Sequence, residues 1–119
     1  MILADTSVWI HHFRKSNPEL VSLLNAGQVA THTFVIGELA CGNLPQRSTT
    51  LHDLHCLTNT STCLDQEVLK FLESNQLSGK GIGYIDAHLL ASSLISGFPL
   101  WTKDKRLAGL ARELDCSYP

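Results

Sequence analysis

Four carboxylates stand out by position: Asp5, Glu38, Asp86 and Asp104 each interrupt or follow an apolar run, in "ILAD", "VIGELA", "GYIDAHLL" and "PLWTKD". Asp86 alone is unremarkable as an acid in the first turn of a helix, where the partial positive charge of the N-terminal N–H groups favours it. Four acids at the ends of core elements ask for more. Converging carboxylates repel, and each has its pKa raised unless a cation offsets the charge. Hard oxygen donors with no paired His or Cys select Mg2+ or Mn2+ rather than zinc. Such an ion supports phosphoryl hydrolysis, because it acidifies bound water, orients it for in-line attack and stabilises charge on the phosphate. Thr6, Ser7 and Thr102 stand beside these acids. Their hydroxyls have two candidate roles, orienting ligands and waters around the ion or capping helices and closing turns.

The elements that must position these groups follow from the pattern. "MILAD" is the form of a short buried strand with a functional group at its C-terminal end. Thr6 or Ser7 is the expected cap of a helix "SVWIHHFRKS", in which Trp9, Ile10 and Phe13 recur at helical spacing. "NPELVSLLNAG" reads as a second helix, with Asn17 as N-cap, Pro18 at the first position and Gly27 as the stop. "QVATH" is a second strand and "TFVIGELACGN" a third helix containing Glu38. Residues 45–57 are weakly helical, with Leu51, Leu54, His55 and Leu57 on the expected inner side. "TNTSTC" suits a short polar strand. "LDQEVLKFLESNQL" is an amphipathic helix with Val68, Leu69, Phe71 and Leu72 apolar. "SGKGIG" is a glycine-rich entry to the helix of Asp86; it lacks the GKS or GKT of a phosphate loop. "FPLWT" is a last strand and "KDKRLAGLARELD" a last helix.

Strands alternating with helices predict an α/β sandwich with a mainly parallel central sheet. In such sheets ligands bind beyond the carboxyl ends of the strands. Asp5 and Asp104 fall at that edge, and one cleft shared with Glu38 and Asp86 is the economical arrangement.

A chain of 119 residues, 44% hydrophobic and 17% charged, fits a single domain spanning 1–119 with one core. Its apolar stretches fall short of the roughly 20 residues a membrane span requires, and the N-terminus lacks the basic region of a secretory signal; a cytoplasmic protein is expected. Cys41, Cys56, Cys63 and Cys116 show no CxxC pair, so they read as buried or incidental thiols. In "HDLHC", His52, His55 and Cys56 lack a further ligand set and read as surface or packing residues. The net charge of −2 does not exclude a polyanionic substrate. If four of the 11 acids hold a cation, seven face nine Lys and Arg, and the ion itself reverses the sign of the site.

Taken in order, "ILADTSVWI", Glu38 in "IGELACG", "GKGIGYIDAHLLAS" and "LWTKDKRL" resemble the four motif regions of a PIN-domain ribonuclease, specifically the toxin of a VapBC toxin–antitoxin pair. The similarity covers nearly the whole chain. The resemblance implies a PIN-like α/β/α sandwich and an acidic quartet of Asp5, Glu38, Asp86 and Asp104 around Mg2+ or Mn2+. Asp5 and Asp86 would be the principal ligands, Glu38 would hold or activate water, and Asp104 would complete the cage or a second metal position. Thr6 or Ser7 matches the hydroxyl after the first acid, and Thr102 the one before the last. The resemblance further implies endonucleolytic cleavage of structured RNA, such as tRNA or ribosomal RNA, leaving a 3′ hydroxyl and a 5′ phosphate. It also implies a homodimer held inactive by a VapB-type antitoxin, with Trp9, Phe13, Val21 and Leu24 as a groove for it or as ordinary core. Two features depart from the pattern. The chain ends soon after its last helix, leaving a terminal edge strand short or missing, and Lys105 and Arg106 stand where some relatives have a further acid.

Lys80, Lys103 and Lys105 flank motif acids and are the candidate phosphate contacts at the cleft rim. With 7% aromatic residues, extensive base stacking is not expected. Rival chemistries fit less well. A haloacid-dehalogenase-type phosphatase wants a second Asp where Ser7 stands, and a receiver-like domain leaves Glu38 without a role. A catalytically idle, partner-binding domain would gain nothing from clustered like charges.

Overall fold

The short apolar runs become a sheet, and the amphipathic runs between them become helices. The computed structural model describes all 119 residues, Met1 to Pro119. Its elements are β1 (Ile2–Ala4), α1 (Thr6–Arg14), α2 (Pro18–Asn25), β2 (Val29–Thr31), α3 (Thr33–Ala40), α4 (Arg47–His55), β3 (Thr58–Asn59), α5 (Asp65–Ser74), α6 (Tyr84–Ser96), β4 (Leu100–Trp101) and α7 (Lys105–Glu113). The four strands form one sheet in the order β3-β2-β1-β4. All three pairings are parallel, with Ile2 beside Val29 and Leu3 beside Leu100. This is the α/β class expected from alternating elements. The terminal strand is reduced to one parallel bridge between Leu100 and Ser117.

β1 lies inside the sheet, which is why Leu3 and Ala4 are fully buried and the run "ILA" shows no polar alternation. Leu3, Leu20, Leu89, Leu90, Leu100 and Leu107 form the centre of the core. α6 buries an unbroken run from Ala87 to Ser93 and stops at Gly97, whose φ of +70° is the left-handed conformation a helix C-terminus favours. α1 packs on α3 and α5 on α6.

Several expectations are corrected. Asp5, not Thr6 or Ser7, caps α1: its Oδ1 accepts the Val8 N–H at 3.2 Å, which frees both hydroxyls for other partners. His55 is exposed while Leu54 is buried, because a nine-residue helix presents only one narrow stripe to the core. Leu69 is 58% exposed, leaving Val68 as the buried anchor of α5. Val21 points outward from α2, whereas Trp9, Phe13 and Leu24 line a cleft with Leu54 and Leu57. The thiols divide, with Cys63 and Cys116 buried and Cys41 and Cys56 exposed.

Candidate active site

β1 and β4 are neighbours in a parallel sheet, so Asp5 and Asp104, one and three residues beyond their last residues, emerge at the same edge. Each acid then opens a helix. Asp5 caps α1, and Asp104 caps α7, with Oδ1 accepting the N–H groups of Arg106 at 2.9 Å and Leu107 at 3.1 Å. Asp86 occupies the third position of α6 and accepts the Gly83 N–H through Oδ2 at 3.3 Å. Three helix N-termini, each with its partial positive charge, therefore meet the acidic edge of the sheet. Glu38 reaches the same place from the last turn of α3.

All four carboxylates, with Thr6, Ser7, Ile10 and Leu89, line one cavity of about 230 Å³. The hydroxyls are bonded to the acids. Thr6 donates to Glu38 Oε1 at 2.6 Å, Ser7 donates to Asp5 Oδ1 at 2.5 Å, and Thr102 donates to Asp5 Oδ2 at 2.5 Å. Thr102 Oγ also accepts the Asp104 N–H at 3.0 Å, and Ser7 Oγ accepts the Lys103 N–H at 2.8 Å. Thr102 thus links the Asp5 carboxylate to the backbone of Asp104.

Asp5 is 5% exposed. Burial holds its carboxyl above the ordinary carboxylate range, although the hydroxyls of Ser7 and Thr102 and the N–H groups of Val8 and Ser7 pull it back. Asp86 is also held high, first by burial and then, against the Gly83 N–H, by the neighbouring charges of Asp5, Asp104 and Glu38. These acids feel one another, and no lysine or arginine pairs with any of them; the chain's one basic-to-carboxylate contact, His88 Nε2 to Asp65 Oδ1 at 3.2 Å, involves none of the four.

A hard divalent cation suits this donor set. No three of the carboxylates are drawn into a closed ligand cage. Mg2+ does not demand one, since it keeps several waters and takes only one or two carboxylates. A cavity whose polar lining is carboxylate and hydroxyl oxygen, with no Lys or Arg paired to its acids, meets that requirement.

The three lysines singled out in the sequence do not line the cavity. Lys80, Lys103 and Lys105 are exposed, and Lys103 and Lys105 flank Asp104 at the start of α7. The glycine-rich entry is held against α7: Gly81 has φ +82°, and a Cβ there would stand 2.7 Å from an Arg106 guanidinium nitrogen. Arg106 therefore lies directly over the chain that leads to Asp86. Ile10 and Leu89 were not anticipated as lining residues, yet each sits one helical turn from a site residue, Ile10 after Thr6 and Leu89 after Asp86. His52 and Cys56 approach to 3.8 Å on the surface without a further ligand.

Comparison with known proteins places the chain in a family and a fold. The PIN domain family model matches residues 2–113. The chain is 43% identical over 114 residues to ribonuclease VapC32 of Mycobacterium tuberculosis, in both strain CDC 1551 / Oshkosh and strain H37Rv, covering 95% of this chain and 92% of the relative. Its fold is similar to the crystal structure of PAE2754 from Pyrobaculum aerophilum, with a TM-score of 0.62 and 15% identity over 96% of this chain and 94% of that one. The chain belongs to the PIN-domain family.

Proposed function

We propose that this protein is a divalent-metal-dependent endoribonuclease, the toxin of a type II toxin–antitoxin pair, which hydrolyses phosphodiester bonds in structured RNA such as tRNA or ribosomal RNA. One observation carries the reading: four ordered carboxylates surround a single cavity in a chain 43% identical to a ribonuclease over 95% of its length. By the same likeness its partners are a VapB-type antitoxin and a second copy of itself, and its place is the cytoplasm. No helix of the chain is long and apolar enough to cross a membrane.

Asp5 and Asp86 would hold Mg2+ or Mn2+, with Asp104 completing the acidic wall. When bound, the ion supplies a more acidic water and stabilises charge on the phosphate. The remaining work belongs to the chain. Ser7 and Thr102 hold both Asp5 oxygens, so the carboxylate cannot swing away from the cavity. Thr6 occupies Glu38 Oε1, leaving Oε2 to orient the attacking water and take its proton. Lys80, Lys103 and Lys105, exposed outside the cavity, would serve as point-like cations for backbone phosphates beyond the reacting one.

The test is cleavage of total cellular RNA by the antitoxin-free protein in Mg2+ or EDTA, with end-group analysis of the fragments. Discrete fragments bearing 5′ phosphates, formed only with metal, are expected. Cleavage that persists in EDTA, or fragments ending in 2′,3′-cyclic phosphate, would sink the reading.

A further inference from the structure

A second and larger cavity, about 610 Å³, opens directly beside the acidic one and shares Ile10 and Glu38 with it. Its size falls within the roughly 300–1,000 Å³ of clefts that enclose small ligands. Phe13 and Leu44 give it an apolar face, and Arg14 and Asn43 give it polar groups. Arg14 has no carboxylate partner, even with Glu38 lining the same space. The far wall is preset. Arg47 donates to the carbonyls of Ala40 at 2.6 Å and Gly42 at 3.0 Å, pinning the turn after α3 that carries Asn43 and Leu44.

We propose that this cavity is a nucleotide subsite, taking the unpaired RNA nucleotide adjacent to the scissile phosphate and setting which positions are cut. The inference rests on the ribonuclease reading above. A phosphodiester held at the acids necessarily places its flanking nucleotide within one nucleotide's reach, and the only large opening continuous with the acids is this one. Single-stranded RNA is recognised by splaying bases onto apolar or aromatic faces and guanidinium planes, with hydrogen bonds to base edges. Phe13 and Leu44 offer the face, Asn43 the edge contact, and the unpaired Arg14 a cation for base or phosphate. Arg47 is a positioning residue that acts through the turn.

Arg14→Ala, Asn43→Ala and Leu44→Ala test this with total cellular RNA, mapping fragment 5′ ends by sequencing and measuring kinetics at mapped sites. Arg14→Ala should raise KM about ten-fold, the scale of one lost stacking or phosphate contact, with kcat nearly unchanged. Asn43→Ala and Leu44→Ala should redistribute the cleavage positions. In parallel, nucleoside 5′-monophosphates added to the wild-type protein should shift the amide resonances of residues 42–44 and the Arg14 side chain. Wild-type cleavage with unaltered KM and positions in all three variants would overturn the subsite and leave the nuclease intact. Variants that cut normally but escape the antitoxin would overturn it too, making the cavity a protein-docking groove. Absence of metal-dependent cleavage in the wild type would instead remove the parent reading.

Discussion

Replacing Thr102 by valine preserves the side-chain shape and deletes the hydroxyl that donates to Asp5 Oδ2 at 2.5 Å. Asp5 is 5% exposed, so water is poorly placed to substitute, and the other oxygen keeps its Ser7 and Val8 partners. A hydrogen bond to a charged group contributes about 1.5–3 kcal/mol, and Thr102→Val should lose about 2 kcal/mol at pH 7 in urea denaturation with EDTA present. Thr102→Ser, which retains the donor, should stay within about 0.5 kcal/mol, the usual span of a substitution that breaks no such feature. The bond favours the ionised form of Asp5. Its contribution is therefore present above the pH at which Asp5 ionises and fades as pH falls through that point. A valine variant as stable as wild type, or a deficit equally large when Asp5 is protonated, would refute the claim that Thr102 restrains a buried carboxylate.

Three further expectations follow from the same contacts. Asp86→Asn should raise the melting temperature of the metal-free protein by a few degrees at pH 7, because folding holds this carboxyl above its ordinary range; stability is lost as pH rises through the folded value, so the variant's advantage should shrink on acidification, and thermal melts across pH would show it. His32 is buried with Nδ1 accepting the Phe34 N–H at 2.9 Å, and burial, then His88, push its pKa down to about 4. The unfolded chain therefore binds the extra proton between about 6.5 and 4, and this contribution to stability is lost as pH falls through that window, with a slope approaching about 1.4 kcal/mol per pH unit. His32→Asn, which keeps a cap acceptor without the titration, should flatten the slope in urea melts. Gly81→Ala should cost about 1–2 kcal/mol, the penalty for a left-handed non-glycine residue, with little added by the displacement of a flexible Arg106; a clearly smaller loss in an Arg106→Ala background than in the parent would contradict this division.

The acids were legible because each violates its surroundings. A carboxylate after "ILA" or among "VIGELA" has no reason to be there if the element is merely core, and the parallel sheet brings those violations to one edge. The hydroxyls were legible as neighbours but not as bonding partners. Thr6 or Ser7 was the expected cap of α1, yet Asp5 is as good an N-cap, and only the fold supplies Glu38 and Thr102 as competing partners for the hydroxyls. Lys80, Lys103 and Lys105 were picked by proximity in sequence, yet an exposed cation beside a motif need not face the cavity. The adjoining cleft left no sequence signal at all: Arg14 and Asn43 lie 29 positions apart and are brought together by the packing of α1 on α3. The Gly81–Arg106 contact was hidden for the same reason, with glycine chosen for a positive φ and a close approach from another element.

The central claim is that the acidic cavity holds the ion that cuts RNA, and its most direct test is an Mn2+ titration in which cation binding and RNA cleavage are followed on the same samples. Wild-type protein should bind Mn2+ saturably, with cleavage rising along the same curve, and Asp86→Asn should lose both while remaining folded. Cleavage that survives in Asp86→Asn, or that proceeds in the wild type without bound cation, would contradict the account.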